Sequence, residues 1–441
     1  MKKVLFLFFI LLSVIFSFAQ KDSSLLADTL ELIPVEVKAV RANATAPFAK
    51  TNLGKAEIAK QNVGQDLPFI LNQTPSVVVN ADAGNGVGYT GIRIRGTDAT
   101  RINVTLNGIP FNDAESSGTF FVDLPDFASS VNSIQIQRGV GTSSNGAGAF
   151  GASINLSTND VEKKPYAEFN NNYGSFQTFK NTVKAGSGLI GDHFTVDARV
   201  SNIRSNGYIE RAKSHLQSFY FSTAYLSDKT TVRLNAFTGK EKTYQAWNGV
   251  AESDLATNRR INYAGTERPG EPYDDETDNY TQQNYQAFFT QKLTGNLVFN
   301  TGLFYVKGKG YYNQYKGGAN YDDYNLIKPV FGTDTVFKTD LVRQLWLDND
   351  FYGDVFSLQH KKGGTQITVG GALSKYIGNH YGEVVWAEKG LGGNTRFYDL
   401  DAHKNDLNIY TKWQQDLSPN FQSYIDLQYR SVDYVINGFR Y

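Results

Sequence analysis

Alternating apolar and polar residues dominate the sequence after about residue 161. From His193 to Val200, every second residue is apolar or small and the residues between are polar. The same period of two recurs in Leu407–Gln414 and Ile425–Arg430. Successive side chains of a strand point to opposite faces, so this pattern predicts long strands with one apolar and one polar face.

The connectors between these strands alternate in length. We count about eleven strands. Short connectors are predicted at 186–192, 227–229, 293–296, 361–364 and 417–420, and the longest at 240–282, 312–345 and 377–403. A soluble β-sandwich also alternates, but short turns at one end and long loops at the other are typical of an outer-membrane barrel.

The region from about 28 to 158 has a different composition and a different hydrophobic pattern. It is rich in Gly, Ala, Ser and Asn, and its apolar runs are short, such as Ile102–Leu106. These features predict a compact α/β domain with small strands and tight turns. Apolar residues at helical spacing between Gly54 and Leu71 predict one or two short helices.

The N-terminus has the pattern of a secretory signal peptide over residues 1–19. Met1-Lys2-Lys3 is basic, and an apolar run from Val4 to Phe18 follows. That run is short for a spanning helix, which needs about 20 apolar residues. No later apolar stretch is longer, so the exported chain would cross a bilayer only as a β-barrel.

The composition excludes several other classes. Aromatic residues make up 14% of the chain, whereas Cys is absent, so disulfide and thiol chemistry are ruled out. Lys+Arg and Asp+Glu number 43 each, which gives no electrostatic case for a nucleic-acid partner. No set of nucleophile, base and orienting residue stands out, and we expect a protein that is not an enzyme.

An odd number of strands cannot close a barrel of this type. An open sheet would leave two unpaired edges in hydrocarbon. We therefore expect the N-terminal half of a longer antiparallel barrel of about 22 strands with a plugged lumen. The expected domains are the signal peptide (1–19), an N-terminal extension (20–46), an α/β plug in the lumen (47–160) and half of the transmembrane β-barrel (161–441).

Three ordered motifs in the α/β region resemble those of TonB-dependent outer-membrane receptors. They are Gly91-Ile-Arg-Ile-Arg-Gly96, Ile102-Asn-Val-Thr-Leu-Asn-Gly-Ile-Pro110, and Ser133-Ile-Gln-Ile-Gln-Arg-Gly139 followed by Gly146 to Leu156. Asn107-Gly108 is in itself a strong hairpin signal, because both positions accept positive φ. The resemblance spans essentially the whole chain.

The resemblance implies a function and partners. It implies energy-coupled import of a scarce nutrient across the bacterial outer membrane, driven by TonB with the ExbB–ExbD complex. The importer would be a monomer that is surrounded by outer-membrane lipid and needs no cofactor. In the family, plug arginines pair with acidic residues of the barrel wall, which implies this role for Arg95 and Arg138. A strand-adding TonB box would correspond to Ile33, Pro34, Val35, Glu36, Val37, Lys38 and Ala39.

The substrate class is narrowed by what the N-terminus lacks. Barely ten residues separate the signal from the candidate box, which leaves no room for the extra domain of many glycan receptors. We therefore expect a ferric siderophore or another iron chelate as the ligand. The alternatives are TonB-dependent uptake of cobalamin or an oligosaccharide, or a passive or structural barrel.

Ligand contacts are expected on the plug apex and the long outer loops. Arginine and tyrosine there suit anionic or catecholate-type chelates. The candidates are Asn85, Tyr89, Asp113, Ser116, Ser117 and Phe120 in the plug, and Arg259, Arg260, Tyr263, Tyr311, Tyr312 and Tyr315 outside it.

Three other motifs are tempting. The run from Gly146 to Gly151 reads G-x-G-x-x-G, but it precedes a predicted strand, and a nucleotide site needs a helix there. The five histidines lack metal-ligand spacing. The acidic run Asp274–Asp278 could hold calcium, but a solvated loop is the preferred reading, so no metal is expected.

Overall fold

The computed structural model describes residues 41–42, 46, 49–142, 144, 149–390, 395–418 and 420–440. The predicted signal peptide (1–19) and TonB box (33–39) lie outside these residues. Within them, helices are too short or too polar to cross a bilayer.

The N-terminal part, which we call the plug, contains two short helices and seven strands. The helices are α1 (Lys55–Gln61) and α2 (Leu67–Ile70), as the apolar spacing predicts. The strands are β1 (Ala49–Gly54), β2 (Val77–Ala81), β3 (Thr90–Ile94), β4 (Ile102–Leu106), β5 (Ile109–Pro110), β6 (Ser133–Arg138) and β7 (Ala152–Ser157).

The plug folds around a five-stranded sheet in the order β1-β6-β7-β4-β5, with β2 and β3 forming a separate pair. Every residue of β4 and β7 is buried, as expected for strands covered on both faces. Asn107 (φ 56°) and Gly108 (φ 87°) make the predicted tight turn between β4 and β5. The G-x-G-x-x-G run leads into β7, so the prediction of a following strand is confirmed.

The C-terminal part, which we call the wall, is one antiparallel sheet of eleven strands. Its strands follow the chain order from β8 at one edge to β20 at the other. They are β8 (Tyr166–Gly174), β9 (Thr178–Gly186), β10 (Phe194–Ser205), β11 (Ser214–Leu226), β12 (Thr230–Tyr244), β13 (Thr277–Thr294), β14 (Leu297–Asn320), β17 (Lys338–Lys362), β18 (Thr365–Ala387), β19 (Arg396–Ser418) and β20 (Phe421–Arg440). A hairpin of β15 (Val330–Phe331) and β16 (Asp334–Thr335) lies between β14 and β17.

The two faces of the wall differ as the alternation predicts. Leu303, Leu373 and Ile409 are 57%, 49% and 44% exposed, and they belong to the outer, lipid-directed face. Polar residues such as Asn300 and Thr368 are buried on the inner face. The fold is therefore part of a transmembrane β-barrel with a plug against its inner face.

The short turns fall where the sequence places them, at 187–193, 227–229, 295–296 and 363–364, and β20 begins within three residues of the end of β19, as also predicted. All three long loops are shorter than expected, and the first spans 245–276 instead of 240–282. Strand β14 continues to Asn320, and β18 and β19 leave only 388–395 between them instead of 377–403. Backbone pairing in β14, β18 and β19 therefore continues through segments that the sequence predicted as loops.

Candidate functional site

An aromatic cluster lies where the plug meets the longest outer loop, 245–276. Tyr89, which precedes β3, stacks on Trp247 of the loop with ring centroids 5.8 Å apart and an angle of 8°. Phe120 meets Tyr89 edge-on at 6.5 Å, and Tyr312 of β14 meets Trp247 at 5.4 Å. Phe120 and Trp247 remain 43% and 42% exposed, so they offer aromatic surface to a ligand.

Hydrogen bonds from the Tyr89 hydroxyl fix the orientation of this cluster. The hydroxyl donates to Asp278 Oδ2 at 2.5 Å and lies 3.3 Å from Glu241 Oε1. Burial raises the pKa of Tyr89 well above its usual range, and the neighbouring Glu241 and Asp278 carboxylates raise it further. Tyr89 therefore stays a neutral donor that links the plug to β12 and β13.

A carboxyl group of the plug shares this environment. Asp123 is buried, and burial, followed by the Coulombic effect of Asp278 and Asp113, raises its pKa well above the usual value. In the described residues no group of three or more His, Asp or Glu side chains has the spacing to hold a metal ion. Burial beside other carboxyl groups therefore favours the protonated form of Asp123.

The plug loop 113–118 is closed by its own turn and attached to the wall. Asp113 Oδ1 accepts hydrogen bonds from the amide and hydroxyl of Ser116, both at 2.7 Å. Ser117 has φ 60°, and its amide donates to the carbonyl of Asp113. Ser116 alone among the three is exposed. These contacts shape the loop and leave the Ser116 side chain at its surface.

Glu115, which the sequence did not single out, attaches that loop to the wall. Its carboxylate accepts hydrogen bonds from Tyr376 (2.8 Å) and Tyr434 (2.8 Å) and lies 2.6 Å from His380 Nε2. Burial opposes ionisation, but these bonds outweigh it and hold the pKa of Glu115 below its ordinary value. We call this set of contacts the Glu115 latch.

A fully buried ion cluster attaches the plug at β9 and β10. Asp126 Oδ1 lies 2.7 Å from Lys180 Nζ, and its Oδ2 lies 3.3 Å from Arg199 Nη1. Thr182 and Ser201 donate to Oδ2 at 2.6 and 2.5 Å. Burial opposes ionisation of Asp126, but the charges of Arg199 and Lys180 and the hydrogen bonds from Lys180 and Ser129 outweigh it and hold its pKa well below the usual range.

Strand geometry explains how the wall builds this cluster. Lys180 and Thr182 are two residues apart on β9, and Arg199 and Ser201 are two apart on β10, so each pair shares the inner face. Asp126 precedes the short helical turn Phe127–Ser129, whose Ser129 hydroxyl also donates to it. We call this set of contacts the Asp126 anchor.

The two predicted plug arginines have different surroundings. Arg138 donates to Thr51 Oγ1 at 3.0 Å within the plug. Arg95 has φ 53° and an exposed side chain near Gly139. Among the described residues neither has an acidic partner within ion-pair distance, so pairing with the wall stays a prediction.

The structure brings together only some of the predicted ligand residues. Tyr89, Phe120 and Tyr312 join one aromatic cluster. Asn85 instead donates to Ser205 Oγ of the wall at 2.7 Å. Arg259 donates to the Leu255 carbonyl, and Tyr263 to Asp254, both within the loop, whereas Arg260 donates to the Tyr208 carbonyl.

Three of the predicted loop tyrosines lie in the sheet. Tyr311, Tyr312 and Tyr315 belong to β14, so their placement in an outer loop was wrong. Tyr311 contacts Trp346 at 4.5 Å, and Tyr315 donates to Asp340. The acidic run is also dispersed, because Asp275 pairs with Lys242 and Glu276 accepts the amide of Tyr315.

Comparison with known families identifies the plug. The family model of the TonB-dependent receptor plug domain matches residues 42–153. This region is therefore similar to the plug domain of TonB-dependent receptors. With the eleven-stranded wall, the chain has the plug-and-barrel fold of that receptor family.

Solved receptors share this fold at low sequence identity. FpvA of P. aeruginosa, determined with bound ferric pyoverdine, has a TM-score of 0.65 and 12% identity over 92% of this chain. The ferric-catecholate import receptor Fiu of E. coli K12 has a TM-score of 0.64 and 15% identity over 91% of this chain. The ferric preacinetobactin receptor BauA of Acinetobacter baumannii has a TM-score of 0.62 and 13% identity over 88% of it. The chain spans 54%, 58% and 58% of their lengths, respectively.

Sequence reasoning found the plug but missed both attachments. Asp126 lies in an irregular segment with no periodic signal, and its two cations lie on the neighbouring strands β9 and β10. The charged residues Lys180 and Arg199 could have indicated an attachment, because they occupy inward-facing positions of short strands. Charges at such positions require partners in the lumen.

Proposed function

We propose that this protein imports a ferric siderophore or another small iron chelate across the bacterial outer membrane. The observation that carries the proposal is the exposed aromatic surface of Phe120 and Trp247, built jointly by a TonB-dependent receptor plug and the longest outer loop. Import from outside requires a site accessible to that side and connected to the plug.

The chemistry of this surface suits a chelate with aromatic or catechol groups. Aromatic rings bind such groups by offset or edge contacts, which contribute about 0.5–1.5 kcal/mol per pair beyond area burial. Arg259 and Arg260 are exposed in the same loop, and cations there would favour an anionic chelate. Three receptors of similar structure, FpvA, Fiu and BauA, all take their descriptions from ferric ligands, which supports the same class.

The energy for import would come from TonB with ExbB–ExbD. In this proposal, Ile33–Ala39 adds as a strand to the periplasmic domain of TonB, which needs an extended segment that supplies main-chain hydrogen bonds. Force on that segment would rearrange the plug after the ligand has bound. Arg95 and Arg138 would stabilise the resting plug through acidic wall residues.

This function is tested by comparing uptake in a knockout strain with uptake in the same strain complemented with the gene. We expect the knockout to lose uptake of one radiolabelled ferric chelate from a panel that also contains cobalamin and oligosaccharides. Unchanged iron uptake with lost uptake of cobalamin or a glycan would contradict the proposed substrate class.

A box variant tests the energy coupling separately. Deletion of residues 33–39 should abolish uptake and leave ligand binding to whole cells intact. Deletion of Ser23–Leu26 is the matched control and should have no effect. Uptake that survives the box deletion would favour a passive barrel.

A further inference from the structure

A cavity of about 120 Å³ separates the plug from the wall on the side of β17 to β20. On the plug side it is lined by β4 and the segment that follows it, including Asn103, Pro110 and Asn112. On the wall side it is lined by Ala372 and Ser374, and by the larger side chains Tyr376, Lys404, Asp406, Tyr410 and Arg430. We call it the lumen cavity.

Small inward residues explain why space remains here. Ala372 and Ser374 face the plug from β18, whereas Tyr220 and Phe237 fill the corresponding face of β11 and β12 and pack on Phe127. The volume corresponds to about four water molecules at roughly 30 Å³ each. The cavity can therefore hold a small polar group but is too small for a whole chelate in the resting state.

An unpartnered donor points to an oxygen-bearing occupant. Asn103 is only 4% exposed and lines the cavity, yet within the described part of the chain its Nδ2 has no hydrogen-bond partner. A buried amide without a partner costs about 1–3 kcal/mol. Lys404 and the Arg430–Asp406 ion pair also line the cavity, so its chemistry suits carbonyl, hydroxyl or carboxylate oxygens.

The Glu115 latch closes the side of this cavity next to loop 113–118. Tyr376 lines the cavity and donates to Glu115, and Lys404 lines it and donates to the Ala114 carbonyl. Tyr376, Lys404 and Tyr434 are direct register partners on β18, β19 and β20. One row of wall residues thus holds the loop over the cavity. Gly378 leaves room for the Tyr376 ring, because a Cβ at position 378 would lie 2.7 Å from that ring.

We propose that the lumen cavity is an internal binding site for an oxygen-rich ligand in transit, and that the site opens when loop 113–118 leaves the wall at β18–β20. The proposal rests on the proposed import function and adds the route and the residues that line it. The plug face at β9–β12 stays in place during passage, because the Asp126 anchor and the aromatic contacts leave no comparable space.

Cross-linking distinguishes the two faces, since the natural sequence contains no cysteine. Ala114→Cys and Lys404→Cys would be joined in intact cells by a short bismaleimide that contains a reducible disulfide. The matched control joins Gly88→Cys to Ser214→Cys, where a Cβ at Gly88 lies 3.8 Å from Ser214 Cβ, a distance suited to a disulfide. Gly88 has φ 94°, so surface expression of this pair is measured as well.

The probes are radiolabelled ferric citrate and a radiolabelled ferric tris-catecholate. We expect the tether at 114 and 404 to reduce uptake of the transported probe by about tenfold or more, with binding unchanged and uptake restored on reduction. The 88–214 cross-link should leave uptake within about twofold. Full uptake through the 114–404 tether, or equal loss with the control, would overturn the proposal.

A second readout keeps the test valid if neither probe is imported, which would count against the proposed function alone. Ser374→Cys places a single thiol in the lumen cavity. We expect an external maleimide to label it about fivefold faster in energised cells than in cells treated with a protonophore, as for a gated site. A Ser130→Cys thiol at the anchored face should show no such increase. Equal rates at Ser374→Cys under both conditions would overturn the proposal.

Discussion

The contacts that attach the two faces of the plug to the wall differ in how deeply they are buried. At β9–β10, Asp126 and Lys180 have fully buried side chains, so water cannot replace either partner. At β18–β20, the side chains of Glu115 and His380 are 16% and 29% exposed, so water can replace the wall contacts. Breaking a buried ion pair costs several kcal/mol, whereas an exposed one contributes less than about 1 kcal/mol. We therefore expect the second attachment to open more readily than the first.

The largest expected effect follows removal of the buried anion. Asp126→Ala would leave Lys180 and Arg199 buried without a counter-charge, which costs about 3–5 kcal/mol. We expect loss of the folded receptor from the outer membrane, or a marked fall in the free energy of unfolding measured in denaturant.

Two further variants sharpen this test. Asp98→Asn changes an exposed plug carboxylate and should leave stability unchanged. The apolar double variant Asp126→Leu with Lys180→Met should be less harmful than Asp126→Ala alone, because fewer charges stay buried unpaired. A double variant as unstable as the sum of its parts would contradict the account.

The next effect concerns the aromatic surface. Tyr89→Ala removes the ring that stacks on Trp247 and should weaken chelate binding to whole cells about tenfold, or about 1.4 kcal/mol. Tyr89→Phe keeps the stack and should bind within about threefold of the natural protein. Equal losses for both variants would show that the hydroxyl, and not the ring, determines affinity.

The sequence predicted the fold better than it predicted these contacts. Period-two alternation is a property of each strand alone, so β10 and β19 were visible residue by residue. The Asn107-Gly108 turn is equally local. The Glu115 latch joins residues 261 to 319 positions apart, and no local pattern carries that information. For the same reason, no sequence pattern predicted that His380, one of the five histidines, would contact the plug.

A smaller effect is expected at the latch. Glu115→Gln keeps the size of the side chain but removes the charge that strengthens its hydrogen bonds, a loss of about 1 kcal/mol. A spin label at Ser116→Cys should become more mobile in this variant, while the midpoint of denaturant unfolding falls far less than in Asp126→Ala. A label of unchanged mobility would show that other contacts hold the loop.

The smallest effect is a difference in acid response. The pKa values of Glu115 and Asp126 are both lowered by folding, so each attachment is present above the ordinary carboxyl pKa and is lost as pH falls through the folded pKa. The pKa of Asp126 lies much further below its ordinary value than the pKa of Glu115 does. On acidification the spin label at position 116 should therefore gain mobility at a higher pH than that of global unfolding. Coincident transitions would contradict this order.

Hydrogen exchange of the purified receptor, followed by mass spectrometry, tests the difference between the two plug faces most directly. The account predicts that amides of 121–131, beside the Asp126 anchor, exchange at least about tenfold more slowly than amides of 111–120, beside the Glu115 latch. Equal protection of both segments, or slower exchange in 111–120, would contradict it.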